Sequence, residues 1–513
     1  MNFKFKDFLI PISFAFLITL FCQYMFFNEN SDVKAHEQLE SGRSKVAPRV
    51  KEVHRPLDLE IDFLDTKPSI EEKNSLIETD FAKFLFSNYG ASIVKAEFKH
   101  SVSGKEQLLK TINATAKEDR CLLVAFNEKT PFYYKLINQN ATDEIALLSY
   151  MADFDGGKII KNFKIYKHIC QIDLEIIIEP AKTLSEDIRL RIFYPSPLPL
   201  DVNDIIQGIF NEANNVVKRA IPSLLERYWE IPSLFGLEDR YFVHAMVKDT
   251  NKFTQRGYFK SMGINSYFSI LEGPAIKDKS LWNLSFYFGP KKSANLVAVD
   301  QRLEKVLDYG YLAVIAKPLL SILVFIYGFV HSYGLAIILL TILIKLLLLP
   351  FTLRGEQSMK KRVEFQKKLQ YIQQKYKDDK HALAQARAEL LKKHGMADMA
   401  GCWPLLLQFP IFFALNRVLT NSIELYHEPF LWIPNLSAKD PYYVLPILIG
   451  ISMILHSLFT ATDAKQRLST FAIALLFSAF SAGLPAGLSL FIFVSAALSV
   501  VQTKLYSMVK KSA

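Results

Sequence analysis

Residues 319–351 read LLSILVFIYGFVHSYGLAIILLTILIKLLLLPF, an apolar stretch of 33 residues that contains one histidine, His331, and one lysine, Lys345. A helix needs roughly 20 such residues to cross a bilayer, so the stretch must form more than one element. The sequence HSYG at 331–334 is a natural break. We therefore predict a transmembrane helix at 333–353 and a separate amphipathic helix within 301–332.

The chain has a second long apolar run near its start. Half of its 513 residues are hydrophobic although 22% are charged, a combination typical of a membrane protein with a soluble domain. Residues 8–27 are an apolar run that follows Lys4 and Lys6 and lacks the small residues of a signal-peptide cleavage site. We interpret 1–28 as an uncleaved signal anchor whose N-terminus stays in the cytoplasm.

A basic segment fixes the predicted topology. Residues 354–395 contain 12 Lys and Arg against 5 Asp and Glu, and basic loops stay in the cytoplasm. An even number of spans must then precede this segment. The segment 301–332 is therefore predicted to lie in the membrane–water interface on the periplasmic side of the same membrane. Both termini are predicted to be cytoplasmic, and 29–332 periplasmic. Four further spans are predicted within 401–505, at about 403–424, 443–462, 469–484 and 486–505, and they bring the total to six. A tail follows at 506–513.

The basic segment 354–400 is predicted to form a helical hairpin. Apolar residues recur at helical spacing in it, among them Met359, Val363, Leu369 and Ile372. Its lysines are either a solvated face with a topological role or a docking surface for anionic partners such as ribosomal RNA or lipid head groups.

The long polar region 29–300 is predicted to be an all-β sandwich that follows a charged linker at 29–75. Short β-rich runs punctuated by turn residues recur along it, for example CLLVAFN, RLRIFYP and WNLSFYFGP. We expect one helical interruption at about 203–228. The region binds partners or spaces them, with carbohydrate binding or catalysis as alternatives. Cys121 and Cys170 could pair if the region is extracytoplasmic.

Lys345 is the residue of greatest interest inside the predicted membrane region. It lies eight residues before 353, hence about 12 Å deep at 1.5 Å per residue. A central lysine costs about 2.5–3.5 kcal/mol on insertion scales, so it should face protein or water. Thr341 shares its helix face, and Gln408 has a comparable depth in the next span. The three residues either line a wet cavity in the inner leaflet, or Lys345 is a snorkelling anchor.

Other polar residues receive structural interpretations. Arg417, Asn421 and Glu424 recur at helical spacing and are predicted to form a structural polar group at the outer surface. We expect His456 to make an interhelical hydrogen bond. The serines of the last two spans are attributed to small-residue packing. No CxxC or HExxH motif occurs, so we predict neither a metal, nor a cofactor, nor a catalytic residue.

Several segments in the same order resemble YidC-type membrane protein insertases of Gram-negative bacteria. The resemblance is close over about 280–505 and looser upstream. It is carried by GLEDRYFVHAMV (236–247), FYFGPKK (286–292), LDYGYLAVIAKPLL (307–320), AGCWPLLLQFPIFFAL (400–415) and PFLWIPNLSAKDPYYVLPILIG (429–450).

The resemblance implies a periplasmic β-supersandwich and five C-terminal helices around a hydrophilic groove open to cytoplasm and lipid. In that family a positive residue of the second span, usually arginine, faces the groove, and Lys345 stands at this position. Thr341 and Gln408 fall on groove-lining positions. A tyrosine often present in the last span is replaced by Ile492, which weakens any transfer of a polar contact from that helix.

The hypothesis is therefore a polytopic α-helical membrane protein, not an enzyme, that inserts and helps fold integral membrane proteins in the inner membrane. The resemblance implies nascent membrane proteins as clients, action with or without the Sec translocase, and a ribosome or targeting receptor at the hairpin and tail. The phospholipid bilayer is a partner, and no specific nucleic-acid target is expected. The alternatives are a secondary transporter with Lys345 as its coupling site, or an assembly scaffold; no inverted repeat supports a transporter.

Overall fold

The structure, a computed structural model, describes residues 71–513 apart from short gaps. The described residues divide into two compact units that meet in sequence between Leu307 and Asp308. We call residues 71–307 the β unit and residues 309–512 the helical unit. The predicted signal anchor lies outside the described residues. The gaps are 103–104, 118, 127–129, 155, 182–187, 202–203, 213–214, 222–223, 226, 264–265, 308, 310–311, 377–378, 395–402, 461–463 and 513.

The described part of the β unit contains 18 strands and one short helix, α1 (Ser293–Val299), which a 3-10 turn at Gln301–Val306 follows. The strands are β1 (Asn74–Glu78), β2 (Ala82–Ser87), β3 (Ser92–Val102), β4 (Lys105–Asn113), β5 (Leu123–Phe126), β6 (Lys135–Ala141), β7 (Ile145–Phe154), β8 (Gly157–Tyr166), β9 (Gln171–Pro180), β10 (Arg189–Pro195), β11 (Gln207–Glu212), β12 (Asn215–Ala220), β13 (Tyr228–Glu230), β14 (Phe235–Glu238), β15 (Phe242–Asp249), β16 (Arg256–Gly263), β17 (Ser266–Ala275) and β18 (Ser280–Pro290).

These strands form three antiparallel sheets. The largest has nine strands in the order β12-β11-β14-β15-β18-β9-β8-β7-β6. A five-stranded sheet, β13-β16-β17-β10-β5, and a four-stranded sheet, β1-β2-β3-β4, make up the rest. The predicted sandwich is confirmed, and β1 begins at Asn74, one residue before the predicted end of the linker.

The side chains on one face of the nine-stranded sheet are buried in the hydrophobic core. Burial alternates residue by residue along β7, β8 and β9, so every second side chain points inward. Aromatic contacts join this face to both smaller sheets, with ring centroids 5.2 Å apart for Phe86 and Phe163 and 5.4 Å apart for Tyr194 and Phe286. The two smaller sheets therefore form the second layer of the sandwich.

The helix predicted at about 203–228 is wrong. The segment instead forms the β11–β12 hairpin, in which Ile209 pairs with Lys218 and Phe210 with Val217. β11 also pairs with β14, which places Ile209 and Phe210 in the core. Tertiary pairing decides the conformation of this segment, because its isolated apolar residues fit either period.

His244 of β15 connects the two layers from inside the core. The ring is fully buried, its Nδ1–H donates to the Pro195 carbonyl at 2.9 Å, and Phe288 packs against it with centroids 5.0 Å apart. Burial lowers the pKa of His244 from 6.5 to about 4, because the charged ring would lose its hydration. The neutral ring is therefore the form that the fold stabilises.

We expect the β unit to lose about 1 kcal/mol of stability between pH 7 and pH 5.5 through His244 alone. A lowered folded-state pKa gives stability that is present above pH 6.5 and lost as the pH falls toward 4. His244→Asn keeps a donor for Pro195 and should remove this loss. Hydrogen exchange of β15 peptides in the full-length chain measures it; His168→Asn, at an exposed histidine, is the control that should retain the acid slope.

The described part of the helical unit contains seven α-helices. They are α2 (Ala313–Val330), α3 (Tyr333–Lys375), α4 (Lys380–His394), α5 (Trp403–Asn421), α6 (Val444–Thr460), α7 (Ala464–Ser481) and α8 (Ala486–Ser512), with a 3-10 turn at Ile423–Leu425.

The helix that contains Lys345 is longer than its predicted span. α3 runs without a break for 43 residues through Pro350, whereas we predicted a span at 333–353 and a separate hairpin from 354. Proline has a helical φ and removes one backbone hydrogen bond, so it need not end a helix. The apolar window Tyr333–Leu353 and the first basic helix are therefore one continuous element, and α4 follows after a short connection.

Three described helices are long and apolar enough to cross a membrane, at Ala313–Val330, Tyr333–Leu353 and Ala486–Leu505. Shorter apolar helices occur at Val444–Phe459 and Arg467–Ser481. The predicted interfacial segment 301–332 consists of the 3-10 turn and α2 rather than one helix. Length and composition do not separate an interfacial α2 from a spanning one, so the count of six spans stays a prediction.

The segment between α5 and α6 is a packed loop. The Phe430 ring lies so close to Gly334, at the start of α3, that a Cβ there would be 2.0 Å from it. Asp440 accepts hydrogen bonds from the Leu445 amide at 2.7 Å and from the Trp432 indole at 3.3 Å. These contacts fix where α3 and α6 begin.

Candidate functional site

Lys345 points at α8. Its side chain is half-buried, and its ammonium donates a hydrogen bond to Ser499 Oγ at 2.9 Å. Ser499 Oγ–H in turn donates to the Ser495 carbonyl at 3.0 Å. The serine hydroxyl is thus directed by its own helix so that its lone pairs face the ammonium.

Two further polar contacts lie beside this one. Gln502 of α8 donates to Thr352 Oγ1 of α3 at 3.0 Å, and Thr503 lies 3.4 Å from His456 Nε2 of α6. We call the residues Lys345, Thr352, His456, Ser499, Gln502 and Thr503 the polar tier. The predicted interhelical hydrogen bond of His456 is confirmed.

The contacts of the polar tier show that α3 and α8 run in the same direction. Lys345 pairs with Ser499, and seven residues later Thr352 pairs with Gln502, so both chains advance together. Lys345 and His456 each lie 12 residues after the first residue of their helix, and Ser499 lies 13 after it. Each is therefore about 18–20 Å along its helix at 1.5 Å per residue.

The other two predicted groove residues occupy different environments. Thr341 is fully buried, and its hydroxyl donates to the Ile337 carbonyl of the same helix at 2.6 Å. Gln408 of α5 is half-buried. Within the described residues, no hydrogen bond joins Gln408 to Lys345 or Thr341. The structure therefore pairs Lys345 with α8 and not with either residue predicted beside it.

The predicted outer polar group is divided between two elements. Arg417 and Asn421 lie in α5, which ends at Asn421, whereas Glu424 lies in the following 3-10 turn. All three side chains are half-buried. Glu424 therefore does not continue the helical spacing of Arg417 and Asn421. The assignment of the three residues as one structural group stays a prediction.

Sequence reasoning missed the α8 side of the polar tier. Ser499 was attributed to small-residue packing, and Gln502 and Thr503 received no role. A signal was present, because positions 495, 499, 502 and 503 form one face of a helix. Opposite that face, Lys345 and Thr352 are seven residues apart and share a face of α3.

Most of the chain is similar to the members of one protein family. A family model described as 60Kd inner membrane protein matches residues 325–512, and one described as YidC periplasmic domain matches residues 231–322. A membrane protein insertase YidC of Geotalea uraniireducens is 30% identical over 460 residues, which cover 85% of this chain and 87% of that one.

This chain belongs to the YidC family. A YidC of Geotalea daltonii is 28% identical over 515 residues, covering 90% of this chain and 92% of the relative. A crystal structure of an active YidC insertase aligns at 16% identity with a TM-score of 0.37, covering 84% of this chain and 92% of that one. These matches confirm the resemblance to the YidC family that the short sequence motifs indicated.

The two cysteines of the β unit do not form a disulfide. Cys121 and Cys170 are both free and buried, and burial raises the pKa of each thiol. In the described part of the chain, no three His, Cys, Asp or Glu side chains are grouped closely enough to hold a metal ion.

Proposed function

We propose that this chain inserts integral membrane proteins into the bacterial inner membrane and assists their folding. The observation that carries this proposal is the similarity over most of both chains to relatives named membrane protein insertase YidC. The inner-membrane location is supported by the family description of residues 325–512, and a periplasmic location of the β unit by that of residues 231–322.

We propose that Lys345 receives an anionic or polar part of the client. A carboxylate that enters the hydrocarbon region costs several kcal/mol, and a fixed cation offsets part of that cost. Lys345 is half-buried, so its charge can act in a site of lower dielectric than water. Gln408 contacts the client as a second polar group, while Thr341 is buried and its hydroxyl donates to the Ile337 carbonyl of its own helix.

We propose a topology of six spans with both termini in the cytoplasm and residues 29–332 in the periplasm. The common direction of α3 and α8 supports it, because spans two and six of the predicted topology both run inward. The basic hairpin at 354–400 is then cytoplasmic. Lys368, Lys375 and Arg387 are exposed on its helices, as a docking surface for a ribosome or targeting receptor requires.

We propose further that the chain acts alone or together with the Sec translocase. The β unit provides a large folded surface on the periplasmic side for such contacts. No covalent or nucleotide-dependent step is part of the mechanism: the client is guided by polarity, and its apolar helix partitions into lipid.

The proposal is tested with the full-length chain reconstituted in liposomes of bacterial phospholipids. A small client with one apolar segment and a short acidic tail is added, and protection of the tail from external protease is measured. We expect protection well above that of protein-free liposomes. Ion-gradient-driven solute uptake without protection would indicate the transporter instead, and the absence of both activities would leave a scaffold.

A further inference from the structure

The Lys345 ammonium has hydrogen-bonding capacity to spare. An ammonium carries three N–H donors, and among the described residues Ser499 is its one hydrogen-bond partner. The remaining two donors match the two oxygens of a carboxylate. A client acid can therefore bind without displacing Ser499.

A lysine needs more help than an arginine to present its charge at one place. The guanidinium is a rigid planar fork, whereas the ammonium is a compact charge on a flexible four-carbon stem. Fixing that stem costs side-chain entropy. A partner that already holds the ammonium reduces what binding of the client must supply, which is pre-organisation.

Ser499 has the properties of such a partner. Its hydroxyl proton is directed to the Ser495 carbonyl at 3.0 Å, so the oxygen accepts from Lys345 in a fixed orientation. The Thr352–Gln502 and His456–Thr503 contacts lie on the same face of α8 and attach this helix to α3 and α6. The position of Ser499 relative to Lys345 is thereby fixed on both sides.

We propose that Ser499 is a positioning residue that holds the Lys345 ammonium for clients with a carboxylate in the translocated segment. The inference rests on the proposed insertase function and deepens it: Ser499 makes the site selective for acidic over neutral segments. Ser499 does not touch the client itself.

Two clients that differ only by Asp or Asn in the translocated tail test this inference in liposomes with the full-length chain. We expect Ser499→Ala to slow insertion of the Asp client about threefold and to leave the Asn client nearly unchanged. Ser499→Thr keeps the hydroxyl and should restore the rate. Ser495→Ala is the matched control, because Ser495 contributes its backbone carbonyl, and it should behave as wild type.

The Lys345→Ala background supplies the deciding comparison. If Ser499 acts through Lys345, adding Ser499→Ala to Lys345→Ala should cause no further loss. Equal slowing of the Asp and Asn clients, or an additive loss in the double variant, would overturn the positioning role. If wild type inserted neither client, the proposed function and this inference would both be wrong; if wild type inserted both at rates that Ser499→Ala did not alter, the inference alone would be wrong.

Discussion

Lys161→Met is expected to destabilise the β unit by about 3–5 kcal/mol, because three buried backbone carbonyls lose their donor and each unsatisfied group costs about 1–3 kcal/mol. Lys161 lies on β8 and is completely buried. Its ammonium donates to the carbonyls of Gly90, Ala91 and Leu122 at 3.0, 2.6 and 2.8 Å. Methionine fills a similar volume but donates nothing, so three carbonyls are left without this donor.

The backbone around these carbonyls explains why they depend on a side chain. Gly90, Ala91 and Leu122 all have positive φ and directly precede β3 or β5. Lys161 therefore satisfies turn carbonyls that lie outside the strands, while Phe163 places an aromatic face 5.3 Å from the ammonium. Burial lowers the pKa of Lys161 well below its ordinary value, and the surrounding acceptors favour the charged form.

Hydrogen exchange of β3 and β8 peptides in the full-length chain measures this loss. Lys158→Met is the matched control, because Lys158 is exposed on the same strand and its replacement should change stability by less than about 0.5 kcal/mol. A loss below about 1 kcal/mol for Lys161→Met would contradict a structural role for the three hydrogen bonds.

Lys345→Ala is expected to slow insertion of a client with an acidic tail about thirtyfold. The reason is that the cation offsets most of the roughly 2.5–3.5 kcal/mol cost of bringing a carboxylate into the membrane, and about 1.4 kcal/mol corresponds to a factor of ten. A client with a neutral tail should be slowed far less. Protease protection in liposomes gives both rates.

Lys345→Arg separates charge from shape. It keeps the positive charge and should retain most of the activity toward the acidic client, although the guanidinium is larger and contacts Ser499 differently. If alanine and arginine variants both inserted the acidic client at the wild-type rate, a charged site at position 345 would be excluded.

The sequence predicted local features well where the periodicity was long. The apolar window at 333–353 appears unchanged as Tyr333–Leu353 of α3, and RLRIFYP and WNLSFYFGP lie in β10 and β18. The end of α3 could not be placed from the sequence, because a proline can either end a helix or lie within a continuous one, as Pro350 does. The β11–β12 hairpin was missed, because pairing with β14 determines it.

The sequence predicted the α3 side of the candidate site but not the α8 side. The depth of Lys345 and its isolation among leucines were visible in the sequence, but its partner Ser499 is 154 residues away. Lys161 could have been found, because alternation along β8 places it with Ile159 and Phe163 on the buried face. Its carbonyl partners come from turns that only the tertiary fold brings together.

The most direct test of the central claim, that clients pass beside Lys345, is crosslinking to a client stalled during insertion. Photoreactive residues are placed at Gln408 and at Leu348, one turn from Lys345, with exposed Phe329 of α2 as the control position. We predict that the polar tail of the client crosslinks strongly from Gln408 and Leu348 and weakly from Phe329. Crosslinks no stronger from Gln408 and Leu348 than from Phe329 would contradict a client path along Lys345.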